Sequence, residues 1–148
     1  MSSYRQILYH LIFRTKNSKA TLPLENADKL FGYIIGIIKK RNCHLYQING
    51  MANHIHILSD LHPSVALADY MRDIKTASSV WLKQQKEFPL FEGWADGYAA
   101  LTYSYKEKDI LINYIKNQHI HHRKESFEEE LRGLLEAHGI QVDERFFP

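Results

Sequence analysis

Hydrophobic periodicity in this chain switches between the two-residue repeat of a strand and the 3.6-residue repeat of a helix in a set order. That order limits the fold more than any other feature. Residues 4–15 are rich in aromatic and β-branched side chains and predict a first strand. Residues 16–22 form a polar connection. Pro23 then suits a helix start, and Ala27, Leu30, Phe31, Ile34 and Ile38 recur at helical spacing. That helix should stop near Asn42, a residue that tolerates a left-handed cap. Residues 43–48 and 51–60 read as two strands around Asn49-Gly50, a strong hairpin signal. Pro63 and Ser64 introduce a second helix, with Leu67, Met71, Ile74, Ser78 and Trp81 along one stripe. Residues 86–96 form a loop carrying Pro89 and Gly93, and residues 98–105 read as a fourth strand. A third helix is expected over about residues 106–122. A fourth should start at Ser126, where Ser126 and Glu129 have capping-box spacing, and end at Gly139.

The order strand, helix, strand, strand, helix, strand is the βαββαβ arrangement of an α+β, ferredoxin-like (RRM-like) sandwich, here with two extra C-terminal helices. Such a sandwich puts its first and third strands in mid-sheet and both helices on one face, leaving the other face for something else. We expect one domain over residues 1–148, with a core of 1–105 and C-terminal helices over 106–148. Hydrophobic residues at 45% and charged residues at 24% fit a globular chain rather than a disordered one. A net charge of +2 gives only a weak electrostatic signal for nucleic acid. The single cysteine, Cys43, excludes an internal disulfide and fits a reducing compartment. The apolar stretches at 7–13 and 33–38 are too short to span a bilayer, and no signal-peptide pattern opens the chain. A soluble cytoplasmic protein is expected.

Residues 53–58 read Asn-His-Ile-His-Ile-Leu on the proposed third strand. Alternation puts Ile55 and Ile57 toward the core and His54 and His56 on the open face, roughly 6–7 Å apart at their Cα atoms. Two imidazoles so spaced can share a divalent cation, or simply hydrogen-bond. A metal site would need a third protein ligand from elsewhere. The third helix offers one, because Tyr114 and Gln118 stand four residues apart on one helix face. Laid across the open sheet face, that helix could lend the Gln118 amide oxygen to a cation and the Tyr114 hydroxyl to a phosphate. A phenol with pKa near 10 needs such help to act as a nucleophile at neutral pH.

Four stretches now fall into a recognisable order: Tyr9-His10-Leu11-Ile12-Phe13-Arg14-Thr15-Lys16, Asn53-His54-Ile55-His56-Ile57-Leu58, Ile74-Lys75-Thr76-Ala77-Ser78-Ser79, and Tyr114-Ile115-Lys116-Asn117-Gln118 with His121-His122. Together with a last helix carrying Phe127, Glu130 and Leu134, they resemble the single-tyrosine HUH transposases. That group comprises the IS200-like insertion-sequence enzymes and relatives associated with repetitive extragenic palindromes. The resemblance implies a Mg²⁺ or Mn²⁺ ion bound by His54, His56 and Gln118. It implies Tyr114 as the residue that forms a 5′-phosphotyrosine link while freeing a 3′-hydroxyl. It also implies a single-stranded DNA hairpin as partner, and a homodimer, although relatives tied to palindromic repeats can be monomeric. Asn17-Ser18 and Thr76 depart from the usual pattern, at positions outside the proposed chemistry.

Arg14, Lys16 and Lys19 follow the first strand, and Lys39, Lys40 and Arg41 end the first helix. Lys75, Lys116, Arg123 and Lys124 add further positive charge. A basic groove that tracks a strand's phosphates could use Lys75, Arg14, Lys16 and Arg123 in particular, with Lys75 favoured by the resemblance. Two alternatives to a tyrosine transposase stay open. One is a catalytically inactive or domesticated single-stranded nucleic-acid-binding protein on the same fold. The other is a metal-dependent hydrolase that uses water, which would call for more acidic ligands than the sequence displays.

Overall fold

The computed structural model describes residues 3–121, 124–145 and 147, so His122 and Arg123 lie outside the described residues. Four strands, β1 (Tyr9–Arg14), β2 (Leu45–Met51), β3 (His54–Ser59) and β4 (Ala99–Thr102), form one antiparallel sheet in the order β2-β3-β1-β4. The first and third strands therefore lie in mid-sheet, as the element order predicts. Helices α1 (Ala27–Lys40) and α2 (Leu67–Lys83) pack on one face. There Leu11 and Phe13 of β1 and Ile55 and Ile57 of β3 meet Leu30, Ile34 and Ile38 of α1 and Tyr70, Met71, Ile74 and Leu82 of α2. Each such buried side chain contributes on the order of 1.5–3 kcal/mol by leaving water.

The opposite sheet face is covered by the C-terminal helices α3 (Lys108–Lys116), α4 (Gln118–His121) and α5 (Phe127–Ala137). Leu8 and Leu58 pack under Leu111 and Ile115 of α3, while Ile12 packs under Phe127 and Leu131 of α5. With helices on both sides, every residue of β3 is buried. The face that the sequence leaves open for His54 and His56 is thus a second, smaller core.

Several boundaries move from their expected places for identifiable reasons. Asn49-Gly50 does not make the hairpin turn. Both residues pair within the ladder, Asn49 with His56 and Gly50 with Ile55, and the chain turns at Ala52 and Asn53 instead. Glycine is needed at position 50 because a Cβ there would sit 2.4 Å from the His54 carbonyl oxygen. The first strand starts at Tyr9 rather than Tyr4, since its partner ladders end at the Tyr9–Ser59 and Tyr9–Thr102 pairs. The fourth stops at Thr102 because Ser104 and Glu107 form a capping box that starts a new helical turn.

The third helix breaks at Asn117, where φ is −97° and ψ 23°. Asn49 explains the break, since its side-chain amide donates to the carbonyls of Ile115 (2.9 Å) and Lys116 (3.1 Å). Those carbonyls are among the groups that would otherwise accept from the next helical turn. Other expectations hold. Asn42 takes the left-handed conformation at the end of α1, with φ 58°. Ser126 caps α5 by accepting from the Glu129 amide, and Gly139, with φ 69°, closes it in a Schellman arrangement.

Gly50→Ala should be costly, because the clash is with backbone rather than a mobile side-chain tip. We expect a loss of about 1–3 kcal/mol in urea denaturation. A variant as stable as the parent would show that the β2–β3 hairpin yields at that point.

Candidate active site

Strand alternation puts His10 of β1 and His54 and His56 of β3 on the sheet face that α3–α5 cover, and all three are fully buried. On α5, Glu130 falls one turn beyond Phe127 and one residue before Leu131, both of which face the sheet. The helix therefore drives the Glu130 carboxylate down between the imidazoles, where the residue is only 3% exposed. Its Oε1 lies 3.1 Å from His56 Nε2 and 3.5 Å from His54 Nε2. Its Oε2 accepts from Gln118 Nε2 at 3.0 Å and from the Tyr114 hydroxyl in a very short hydrogen bond. Gln118 Oε1 is 3.3 Å from His54 Nε2.

The tautomers follow from the partners. Asn53 Oδ1 lies 2.7 Å from His54 Nδ1, and the Asn53 amide nitrogen donates in turn to the Ser18 carbonyl, so His54 Nδ1 carries the hydrogen. A neutral His54 then turns the lone pair of Nε2 toward Gln118 Oε1 and Glu130 Oε1. Three electron-rich atoms face one another, an arrangement that calls for a positive species among them: a proton on Nε2 or a metal ion. His54 is held flat against the Phe127 ring, with centroids 4.0 Å apart and planes 17° from parallel.

The electrostatics are those of a buried carboxylate among donors. Burial alone would push the Glu130 carboxyl up, but hydrogen bonds from His54, when its Nε2 is protonated, and from His56 and Tyr114 more than offset it and hold the group well below the usual range. Burial, and next the Glu130 carboxylate, push the Tyr114 phenol well above its ordinary value. Burial first, and then the adjacent His56, hold His10 well below the usual histidine range.

Of the residues that the sequence singles out, the structure gathers Tyr114, His54, His56 and Gln118 in one chain, although Tyr114 and Gln118 stand on separate helices, α3 and α4. Arg14 pairs in register with His54 and is half-buried at the end of β1, while Lys16 is exposed just beyond it. Lys75 is differently engaged. Its ammonium donates to the Ala95 carbonyl (2.7 Å) and the Gly97 carbonyl (2.8 Å), fastening the loop before β4 to α2. A phosphate would have to draw it away from both. The sequence reading did not assign a role to Glu130 or His10, though both stand in stretches it had picked out. The only available signal for Glu130 was its place on the buried stripe of α5, three residues after Phe127 and one before Leu131. A carboxylate on such a stripe requires donors.

A profile of the family described as "Transposase IS200 like" matches residues 3–118. The chain belongs to that family. This IS200-like transposase is 31% identical over 120 residues to the ISDra2 transposase TnpA of Deinococcus radiodurans, covering 77% of this chain and 85% of that one. It is 25% identical over 115 residues to the transposase of insertion sequence IS200 from Salmonella typhimurium, covering 74% of this chain and 75% of the relative. Among solved structures it is similar to a transposase from Deinococcus radiodurans R1, with TM-score 0.58, 28% identity, and 80% and 95% of the two chains covered. Its fold is also that of a REP-associated tyrosine transposase bound to a REP hairpin, with TM-score 0.61, 17% identity, and 82% and 74% covered. Among the described residues, no helix of this transposase is long and apolar enough to cross a membrane.

The Glu130 shift fixes the sign of an acid response. The folded carboxyl lies below its ordinary value of 4.5, so its contribution is present above that value and is lost as pH falls further. In the metal-free transposase below about pH 4.5, this one group should remove about 1.4 kcal/mol of stability per pH unit. Glu130→Gln should lack that component. Denaturant melts at pH 5 and pH 3 with chelator present check this, and equal acid losses in the two proteins would contradict it.

Proposed function

We propose that this transposase cuts and rejoins single-stranded DNA at hairpins, with Tyr114 as nucleophile and a Mg²⁺ or Mn²⁺ ion held by His54, His56, Gln118 and Glu130. The observation that carries the metal part is the convergence of His54 Nε2, Gln118 Oε1 and Glu130 Oε1 with no hydrogen donor of their own to spare. The nearest nitrogen and carboxylate oxygen atoms of His54, His56 and Glu130 all lie within 4.8 Å of one another. Two imidazole nitrogens with carboxylate and amide oxygens are a donor set that fits such an ion. When bound, a divalent cation would polarise the scissile phosphate and cancel the Glu130 charge that keeps the phenol protonated.

The chain's own residues do the rest. Tyr114 Oη forms a bond to phosphorus as its proton passes to Glu130 Oε2, the bond from phosphorus to the 3′-oxygen breaks, and that proton goes on to the freed 3′-oxygen, which leaves as a hydroxyl. Glu130 holds the phenol's proton at Oε2 and so orients the hydroxyl before attack. Asn49, by capping the end of α3, fixes where Tyr114 stands. Arg14, at the rim beside His54, is placed to meet a phosphate, with exposed Lys16 beyond it. Lys75 could join them only by giving up Ala95 and Gly97, and Arg123 remains a phosphate contact proposed on sequence alone. Hairpin DNA as the partner draws support from the relative solved with a REP hairpin. Tyr114, Gln118 and Glu130 meet His54 and His56 of the same chain, so in the proposed homodimer each copy can complete its own centre.

A second reading gains one observation. Glu130 supplies the acidic ligand that a water-using hydrolase would need. Purified protein incubated with Mg²⁺ and a labelled single-stranded hairpin should give a covalent protein–DNA species on a denaturing gel. Tyr114→Phe should lose that species entirely and keep hairpin affinity within about threefold, because a single hydroxyl outside the backbone contacts contributes little to non-specific binding. Turnover that survives Tyr114→Phe would favour the hydrolase, and binding without any adduct in the parent would favour an inactive DNA-binding protein. Arg14→Ala should weaken hairpin binding and lower the salt slope by about one. An unchanged slope would remove Arg14 from the DNA-binding surface.

A further inference from the structure

His10 is the one buried titratable side chain beside this cluster that the proposed chemistry leaves without a task. It is the second residue of β1, fully buried, on the same sheet face as His56. Its Nε2 lies 2.7 Å from His56 Nδ1, and the two rings stack with centroids 4.9 Å apart. Its Nδ1 has no hydrogen-bond partner among the described residues. An aliphatic side chain would fill this position with no polar atom to satisfy, so a histidine here calls for a reason.

Counting hydrogens supplies one. A neutral His10 carries one N–H, and its only acceptor among the described residues is His56, so the hydrogen sits on Nε2 and is donated to His56 Nδ1. His56 then carries its own hydrogen on Nε2 and donates it to Glu130 Oε1 at 3.1 Å. Every N–H has an acceptor, but His56 Nε2 has no lone pair to offer. His54 is in the opposite state, with Asn53 holding its Nδ1 hydrogen and Nε2 free of one. The two histidines of one proposed site are thus poised differently.

We infer that His10 is a positioning residue that sets the tautomer of His56 and reverses with it when a divalent cation binds. In the loaded state His56 carries its hydrogen on Nδ1 and donates it to His10 Nε2, while His10 carries its own on Nδ1. Two hydrogens are spread over four ring nitrogens before and after, so none is gained or lost. A histidine ligand that donates its second N–H to a fixed acceptor is held in orientation and made more basic. His10 Nδ1 has no partner among the described residues in either tautomer, so the reversal leaves that atom as it was, while His56 gains a fixed acceptor behind it. The inference rests on the proposed metal reading of His54, His56, Gln118 and Glu130.

Two measurements test it without relying on turnover. Ring-nitrogen NMR of ¹⁵N-labelled parent protein should show His56 protonated on Nε2 in chelator and on Nδ1 with saturating Mg²⁺. Calorimetry with Mn²⁺ should show His10→Leu binding about 10–100-fold more weakly, with His10→Gln, whose amide oxygen can accept from Nδ1–H, restoring most of the loss. His10→Leu binding Mn²⁺ as the parent does, or a His56 tautomer unmoved by Mg²⁺, overturns the role of His10. In that event loss of Mn²⁺ binding in His54→Ala shows that the metal reading survives. A parent protein that binds neither ion overturns both. The parent NMR measurement needs no substitution, so it decides the matter even if His10→Leu fails to fold.

Discussion

A carboxylate taken out of water must find donors or forfeit several kcal/mol, and Glu130 finds them on three elements at once. His54 and His56 reach it from β3, Tyr114 from α3 and Gln118 from α4. The geometry of the whole C-terminal half follows from that requirement. α5 must lie where its buried stripe points at the imidazoles, which Phe127 on His54 and Leu131 against Ile12 secure. α3 must end where Tyr114 and Gln118 can both turn inward, which the Asn49 cap and the break at Asn117 secure. Remove the carboxylate and the four side chains lose their common partner.

The same interaction explains why the centre is quiet until something positive arrives. With Glu130 ionised beside it and little water around it, the Tyr114 phenol keeps its proton, since ionising it would put two negative oxygens side by side. Under the proposed function, the arrangement would store the nucleophile in an unreactive form. A tyrosine proposed to attack DNA would gain from being kept so, because a permanently ionised phenol would attack any phosphodiester that reached it.

Much of this was legible in the sequence because it depends on periodicity. The strand and helix order gave the sheet order, since a βαββαβ sandwich puts its first and third strands in mid-sheet. Alternation alone put His54 and His56 on one face, and the four-residue spacing of Tyr114 and Gln118 survived even though the helix between them breaks. What stayed hidden was decided by contacts between distant segments. Asn49-Gly50 has the residues of a tight turn, yet it is drawn into the ladder because Asn49 is needed at the end of α3, some 66 residues away. Lys75 reads as a free cation until the loop before β4 folds back onto it. Glu130 reads as one of several glutamates on an exposed helix until α5 is laid on the sheet.

Access then becomes the controlling question, because a site good at stabilising a buried charge is poor at admitting a phosphate. The imidazoles and Glu130 are fully enclosed, whereas Tyr114 and Arg14 are only half-buried, and Arg14 stands opposite His54 at the end of β1. Arg14 opens onto a groove that Phe127 and Leu131 also line, so in the proposed reaction a phosphodiester held there would reach the enclosed imidazoles only where that apolar cover gives way. It would meet the guanidinium before the phenol. Charge neutralisation at the rim would precede attack at the centre, which is the order that a dry, carboxylate-filled site requires.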